Sequence, residues 1–372
     1  MAVTGGANWT DKLSELFFRI FGVRMMKKRV FLVVASQLLF ALPVLGQLKT
    51  EAPAPIPGAR PAVVEHIKIH SKALEGNLER NAEDRDVLVI LPPGYKADSK
   101  RRYPVVYALH GYFIGAQQWS KEIHVPQTIE GAFEKGAEEM IVVLPDSKTV
   151  HNGSMYSSSV TTGDFETFVA RDLVSYVDAH YRTLARRESR GLAGHSMGGY
   201  GAIRIGMKHP DVFSSLYIMS PCCLSARAAP RPEDEVALAA LKSVEDAAKL
   251  PFPPRSHLAA AAAWSPNPAK PPLYLDLPFG DARQSVLAKW AANAPLAMID
   301  QYAANLRRYG AIAIDVGDQD SLRADTERLH GVLDSYGIAN SFEIYPGTHT
   351  SHIAFRVQDK LLPFFSKALS TK

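Results

Sequence analysis

Residues Gly194, His195, Ser196, Met197 and Gly198 form a G-x-S-x-G stretch, and its surroundings leave few folds open. In this pattern the serine sits on a tight, strained turn between a strand and a helix, with its hydroxyl clear of the backbone. A side chain two positions to either side would collide within the turn, so glycine is required there. The flanks fit. Ser189 to Ala193 reads as a short strand, and Gly199 to Lys208 reads as the start of a helix. Tyr200, Ile203 and Met207 recur at helical spacing, and Pro210 ends the run. Ser196 is therefore a candidate nucleophile.

A serine hydroxyl attacks poorly until a base takes its proton, and that base needs an acid to orient it. In a sheet of this kind the order is serine, then acid, then histidine, each in a loop after a late strand. Two apolar runs late in the chain, Ala311 to Val316 and Phe342 to Tyr345, are followed by suitable loops. The first holds Asp318 and Asp320, and the second holds His349 and His352. Asp320 and His349 are the preferred acid and base. Asp318 is then a cap or loop hydrogen-bonding residue, His352 opens the last helix, and Asp315 points from within its strand. Hydrolysis should slow as His349 takes up a proton at falling pH. The oxyanion donors expected are the backbone N–H groups of Met197, next to the serine, and Tyr112, in the loop after the strand ending at Leu109. His110 and His195 are assigned to packing and supporting hydrogen bonds.

The remaining strands are Asp86 to Leu91, Pro104 to Leu109, Met140 to Leu144 and Val212 to Met219, with a helix over Phe165 to Tyr181. Apolar strands alternating with helices indicate a mostly parallel α/β sheet covered on both faces. One stretch, about 222–295, is rich in alanine and proline and shows no clear strand. It is a candidate lid, with Trp264, Tyr274, Phe279 and Trp290 as pocket walls, or else a helical excursion that packs these aromatics into a small core of its own. Cys222 and Cys223, the only cysteines, allow no long-loop disulfide within one chain. They read as two small buried residues after a strand, or as a redox switch or intermolecular bridge.

Charge narrows the partners. The formal charge is +4, but residues 1–46 hold six basic and two acidic side chains, and 36 of each remain outside. A neutral body gives no electrostatic case for nucleic acid or an anionic membrane surface. Within 1–46, Lys27, Lys28 and Arg29 precede an apolar run from Val30 to Leu45 and small residues ending at Gly46. That is the build of an export signal, and the run is shorter than a spanning helix needs. The expected layout is a signal at 1–46 with translation starting at Met25 or Met26, a Pro/Ala linker at 47–62, and a catalytic domain at 63–372. The mature protein would be periplasmic or secreted, with no stable membrane insertion. Histidines and acids show no metal-ligand spacing, so no metal or organic cofactor is expected.

Three stretches carry a family resemblance: Leu91 to Tyr95, Tyr103 to Gly111, and Gly194 to Ala202. Together they resemble the Putative esterase (esterase D) family, which includes S-formylglutathione hydrolases, feruloyl and siderophore esterases, and acyltransferases of antigen 85 type. The likeness runs from about residue 70 to the C-terminus, apart from 222–295. It implies an α/β-hydrolase fold and a Ser-Asp-His triad. The family's G-x-x-D pattern falls on Gly317 to Asp320, its G-x-H pattern on Gly347 to His349, and its oxyanion loop on His110 to Tyr112. The expected function is that of an exported serine esterase acting on small-molecule esters or acylated sugars. The alternatives are an acyltransferase using the same triad and a non-catalytic binding protein on a hydrolase fold.

Overall fold

The computed structural model describes residues 50–372. The export signal expected at 1–46 lies outside the described residues, so neither it nor the start at Met25 or Met26 is addressed by the fold.

One eight-stranded sheet organises the chain. Its strands are β1 (Val63–His70), β2 (Asp84–Leu91), β3 (Val105–Leu109), β4 (Ile141–Pro145), β5 (Arg190–His195), β6 (Ser215–Met219), β7 (Ala311–Gly317) and β8 (Ser341–Tyr345). Their spatial order is β1-β2-β4-β3-β5-β6-β7-β8. β2 pairs antiparallel with β1 and β4, and every other pairing is parallel. The expected mostly parallel α/β fold is present.

Alternation along the strands divides the core between the two faces. Val105, Tyr107, Leu109, Leu192, Leu216 and Ile218 pack on one side, with the helix Met197–Lys208. Val106, Ala108, Ala193, Tyr217 and Met219 pack on the other, with the C-terminal helices. Tyr200, Ile203 and Met207 are fully buried, as their spacing predicts. β1 is the strand that apolar runs do not reveal. Its pattern, with Glu65, His66, Lys68 and His70 among valines and isoleucines, belongs to an edge strand with one wet side. The strand expected from Val212 starts only at Ser215, because Pro210 to Val212 form a turn closed by Val212 N–H on His209 O.

The 222–295 stretch contains the helices Pro232–Ala239, Val244–Ala248, Phe252–Trp264 and Arg283–Ala291 and no strand. Trp264 and Trp290 form no separate small core. Both are buried in the same cluster as the sheet and the Met197–Lys208 helix. Trp264 lies 5.6 Å from the Tyr200 ring and donates from Nε1 to Ser157 Oγ at 3.2 Å. Tyr274 and Phe279 are half-buried. No helix among the described residues is long and apolar enough to cross a membrane.

Candidate active site

Parallel register brings the site together. Leu109 pairs with Gly194, His195 with Met219, Met219 with Asp315, and Gly317 with Tyr345. The carboxyl ends of β3, β5, β6, β7 and β8 therefore share one edge, and the loops leaving them meet there.

Ser196 occupies the turn from β5 into the helix Met197–Lys208 with φ 58° and ψ −114°. A non-glycine residue with positive φ is held only where its surroundings over-determine it. Here the glycines do so. A Cβ on Gly194 would lie 2.1 Å from Gly198 O, and one on Gly198 would lie 2.0 Å from Leu109 O. Ser196 N–H donates to Met219 O at 3.0 Å, and Ser196 O accepts from Cys222 N at 3.1 Å. The elbow is thus sewn to the end of β6.

Ser196 Oγ lies 2.9 Å from His349 Nε2, and His349 Nδ1 lies 2.8 Å from Asp320 Oδ2. A carboxylate only accepts, so Nδ1 carries the ring proton and Nε2 is free to accept the serine proton. Asp320 is fixed further by Leu322 N–H, which donates to Oδ1 at 2.9 Å. Burial pushes the Asp320 carboxyl up, but the hydrogen bonds from His349 and Leu322 outweigh it and hold the group below its ordinary range. The Asp320 side chain is 0% exposed and that of His349 34%, so Asp320 is sealed while the His349 ring reaches the surface.

The competing residues have other roles. Asp318 Oδ1 accepts from Gly347 N at 2.9 Å, which laces the acid loop to the histidine loop. Asp315 lies buried within β7 and accepts from Tyr217 OH at 2.7 Å and Arg356 Nε at 2.8 Å. His352 precedes the helix Ile353–Arg356 and contacts Ser351 Oγ at 3.2 Å. His195 Nε2 donates to His349 O at 2.8 Å. Burial, then the neighbouring His349, lowers His195 to about 3, so it stays neutral and acts as a brace. His110 is also buried. Its Nε2 accepts from Ser147 N and its Nδ1 donates to Gly111 O, each at 2.8 Å.

Met197 directly follows the serine, and the loop holding Tyr112 begins beside it. Gly111 stands against it, since a Cβ there would sit 3.4 Å from Ser196 Cβ. Among the described residues, neither Tyr112 N–H nor Met197 N–H donates to another protein group.

The loop at 147–157 supports this edge and carries no pattern that sequence reasoning could use. Tyr112 OH donates to His151 O at 2.9 Å, Phe113 N–H to Asn152 O at 3.0 Å, and Tyr156 OH to His110 O at 3.0 Å. Gly153 fits between Tyr112 and Met197, where a Cβ would come within 2.6 Å of both side chains. Burial pushes the Tyr112 phenol up to about 12, so it remains a hydrogen-bond donor. Phe252 packs against Tyr112 with ring centroids 5.4 Å apart, which seats the 222–295 stretch on the loop after β3.

This strand order, with a Ser–His–Asp hydrogen-bonded chain on loops at one sheet edge, defines an α/β-hydrolase fold. The chain belongs to the Putative esterase family, whose model matches residues 79–358. Over 132 residues it is 33% identical to Esterase Rv1288 of Mycobacterium tuberculosis (strain ATCC 25618 / H37Rv), covering 35% of this chain and 27% of that protein. The chain thus spans well under a third of that relative's length. Among solved structures, a ferulic acid esterase superposes with TM-score 0.59 at 23% identity, covering 83% of this chain and 99% of its own. An S-formylglutathione hydrolase from Agrobacterium tumefaciens gives TM-score 0.56 at 17% identity, covering 84% and 97%. At these identities the structural likeness concerns the fold.

Proposed function

We propose that the protein is an exported serine esterase that hydrolyses carboxylic esters through an acyl-enzyme on Ser196. The observation that carries this reading is the unbroken chain from Ser196 Oγ through His349 to Asp320, with contacts of 2.9 and 2.8 Å. Ser196 Oγ attacks the ester carbonyl while His349 Nε2 takes its proton. Asp320 orients the ring and stabilises its charged form. The carbonyl oxygen, now negative, is held by Tyr112 and Met197 N–H, donors of a kind typically worth about 3–4 kcal/mol each. His349 returns the proton to the leaving alcohol. Water then attacks the acyl group by the same route, and Ser196 is released. No step requires a metal or organic cofactor.

Membership of an esterase family supports the reaction class, and the ferulic acid esterase likeness suggests phenolic esters as substrates to try. Export is part of the same proposal. It rests on the basic and apolar segments at 25–46, and the N-terminus of protein recovered from the periplasm or medium tests it.

The deciding experiment is p-nitrophenyl ester hydrolysis over acyl chains from acetate to palmitate, with wild type beside Ser196→Ala. We expect the variant to lose about 10³-fold or more in kcat, by analogy with other serine hydrolases. Activity surviving in Ser196→Ala would remove the serine from the mechanism. Adding acceptor alcohols and analysing products separates hydrolysis from acyl transfer.

A further inference from the structure

The two cysteines have no role in the esterase chemistry, yet they adjoin the nucleophile. They are half-buried and packed against the main core. Their sulfurs stand 2.7 Å apart, closer than two sulfurs in ordinary non-bonded contact. Cys223 has φ 60°, a left-handed backbone uncommon for a residue with a side chain. Cys222 N–H donates to Ser196 O at 3.1 Å, beside Tyr200 N–H at 3.0 Å. A covalent change at this pair therefore acts directly on the elbow.

We propose that Cys222 and Cys223 form a vicinal dithiol that low-molecular-weight disulfides oxidise reversibly to an intramolecular disulfide, and that this closure slows turnover by displacing Cys222 N–H, one of the two donors that hold the Ser196 carbonyl.

The reaction balances. The Cys223 thiolate attacks one sulfur of the small disulfide and expels the other as a thiolate. Cys222 loses its proton and attacks Cys223 Sγ, which expels the second thiolate. The protein gives up two electrons, and one small disulfide becomes two thiols. Cys223 is suited to attack first. The Cys222 thiol donates a hydrogen bond to it and Arg227 lies beside it, and together these hold its thiol below the ordinary range. Cys222 is pushed the other way, as the donor of that bond and by burial.

Geometry also makes the bond labile. Adjacent Cα atoms stand about 3.8 Å apart, short of the roughly 4.4–6.8 Å that relaxed disulfides span. Strained disulfides of this kind are readily reduced and are the regulatory rather than the structural ones. The ring closes only by turning the peptide between the two residues, and Cys222 N–H is on the adjoining peptide.

The test uses reduced protein exposed to excess oxidised glutathione. Intact mass is read beside p-nitrophenyl acetate hydrolysis, before and after dithiothreitol. We expect a loss of two hydrogens confined to the Cys222–Cys223 peptide, a several-fold fall in kcat, and full recovery on reduction. Cys222→Ser/Cys223→Ser should not respond to the oxidant. Four results would each overturn the proposal: both thiols still open to alkylation after oxidation, a persistent glutathione adduct, a disulfide-linked dimer, or a disulfide that leaves kcat unchanged. Running the mass measurement on Ser196→Ala as well keeps the thiol chemistry separate from the assignment of the nucleophile.

Discussion

At Ser196 a serine sits where glycine is usual, and its φ of 58° is the conformational cost of presenting a hydroxyl at the tip of a turn. The two carboxylates of the following loop show how finely residues divide the work. Asp318 and Asp320 are two positions apart, and each ties the β7 loop to the β8 loop. Asp318 grips the backbone at Gly347, while Asp320 grips the histidine ring. Their substitutions should therefore differ in kind. Asp320→Asn presents an amide that no longer selects the Nδ1–H tautomer, and kcat should fall by about 10³- to 10⁴-fold. Asp318→Asn keeps an oxygen for Gly347 N–H and should lose less than tenfold. Steady-state kinetics on one p-nitrophenyl ester decides it, and equal losses would mean the acid has been misassigned.

At the scale of elements, the helix that begins at Ser196 must be anchored as well as started. It is anchored by charge. Glu166, in the short helix Phe165–Thr167, contacts Arg204 Nε at 3.1 Å and Lys208 Nζ at 3.0 Å, both on the elbow helix. Burial alone would push this carboxyl up. The His209 ring, 3.5 Å away, and the charges of Arg204 and Lys208 overcome it and hold the group at about 2. A depressed carboxyl stabilises the fold above its unfolded value and loses that contribution as pH falls through its folded value. Wild type should exceed Glu166→Gln by about 2–3 kcal/mol at pH 7. The gap should narrow as the pH falls from about 4.5 towards 2. Urea unfolding at several pH values measures it, and a gap independent of pH would assign the effect to packing instead of charge.

For the molecule as a whole, the 222–295 stretch is part of the core and not an appendage. Trp264 fills space beside Tyr200, Trp290 is buried in the same cluster, and Trp264 donates to Ser157 in the loop that supports Tyr112. Trp264→Ala should cost about 3–5 kcal/mol, the usual range for emptying a buried indole site. Unfolding should remain a single transition followed by tryptophan fluorescence and circular dichroism alike. Two separate transitions would show that the stretch folds independently.

What the sequence determined was everything that depends on short spans of chain. The G-x-S-x-G turn is dictated by clashes within five residues, and the buried parallel strands are apolar runs bounded by turn residues, so the fold class, the candidate nucleophile and the two loops that hold the candidate acid and base could be read from order and spacing. Tertiary structure decided the rest. Whether Asp318 or Asp320 meets His349 depends on how two loops, brought side by side by the register of β7 and β8, cross at Gly317 and Gly347, and a Cβ on Gly317 would lie 2.3 Å from Gly347 O. The edge strand β1 took its meaning from its antiparallel partner, because alternating polar residues mark a strand only once one face is known to be wet. The supporting loop at 147–157 and the place of Trp264 left no periodic trace, since their contacts join residues distant in the chain through hydrogen bonds and shape. The same holds for the cysteine pair: adjacency is written in the sequence, but its hold on the Ser196 carbonyl exists only in the folded chain.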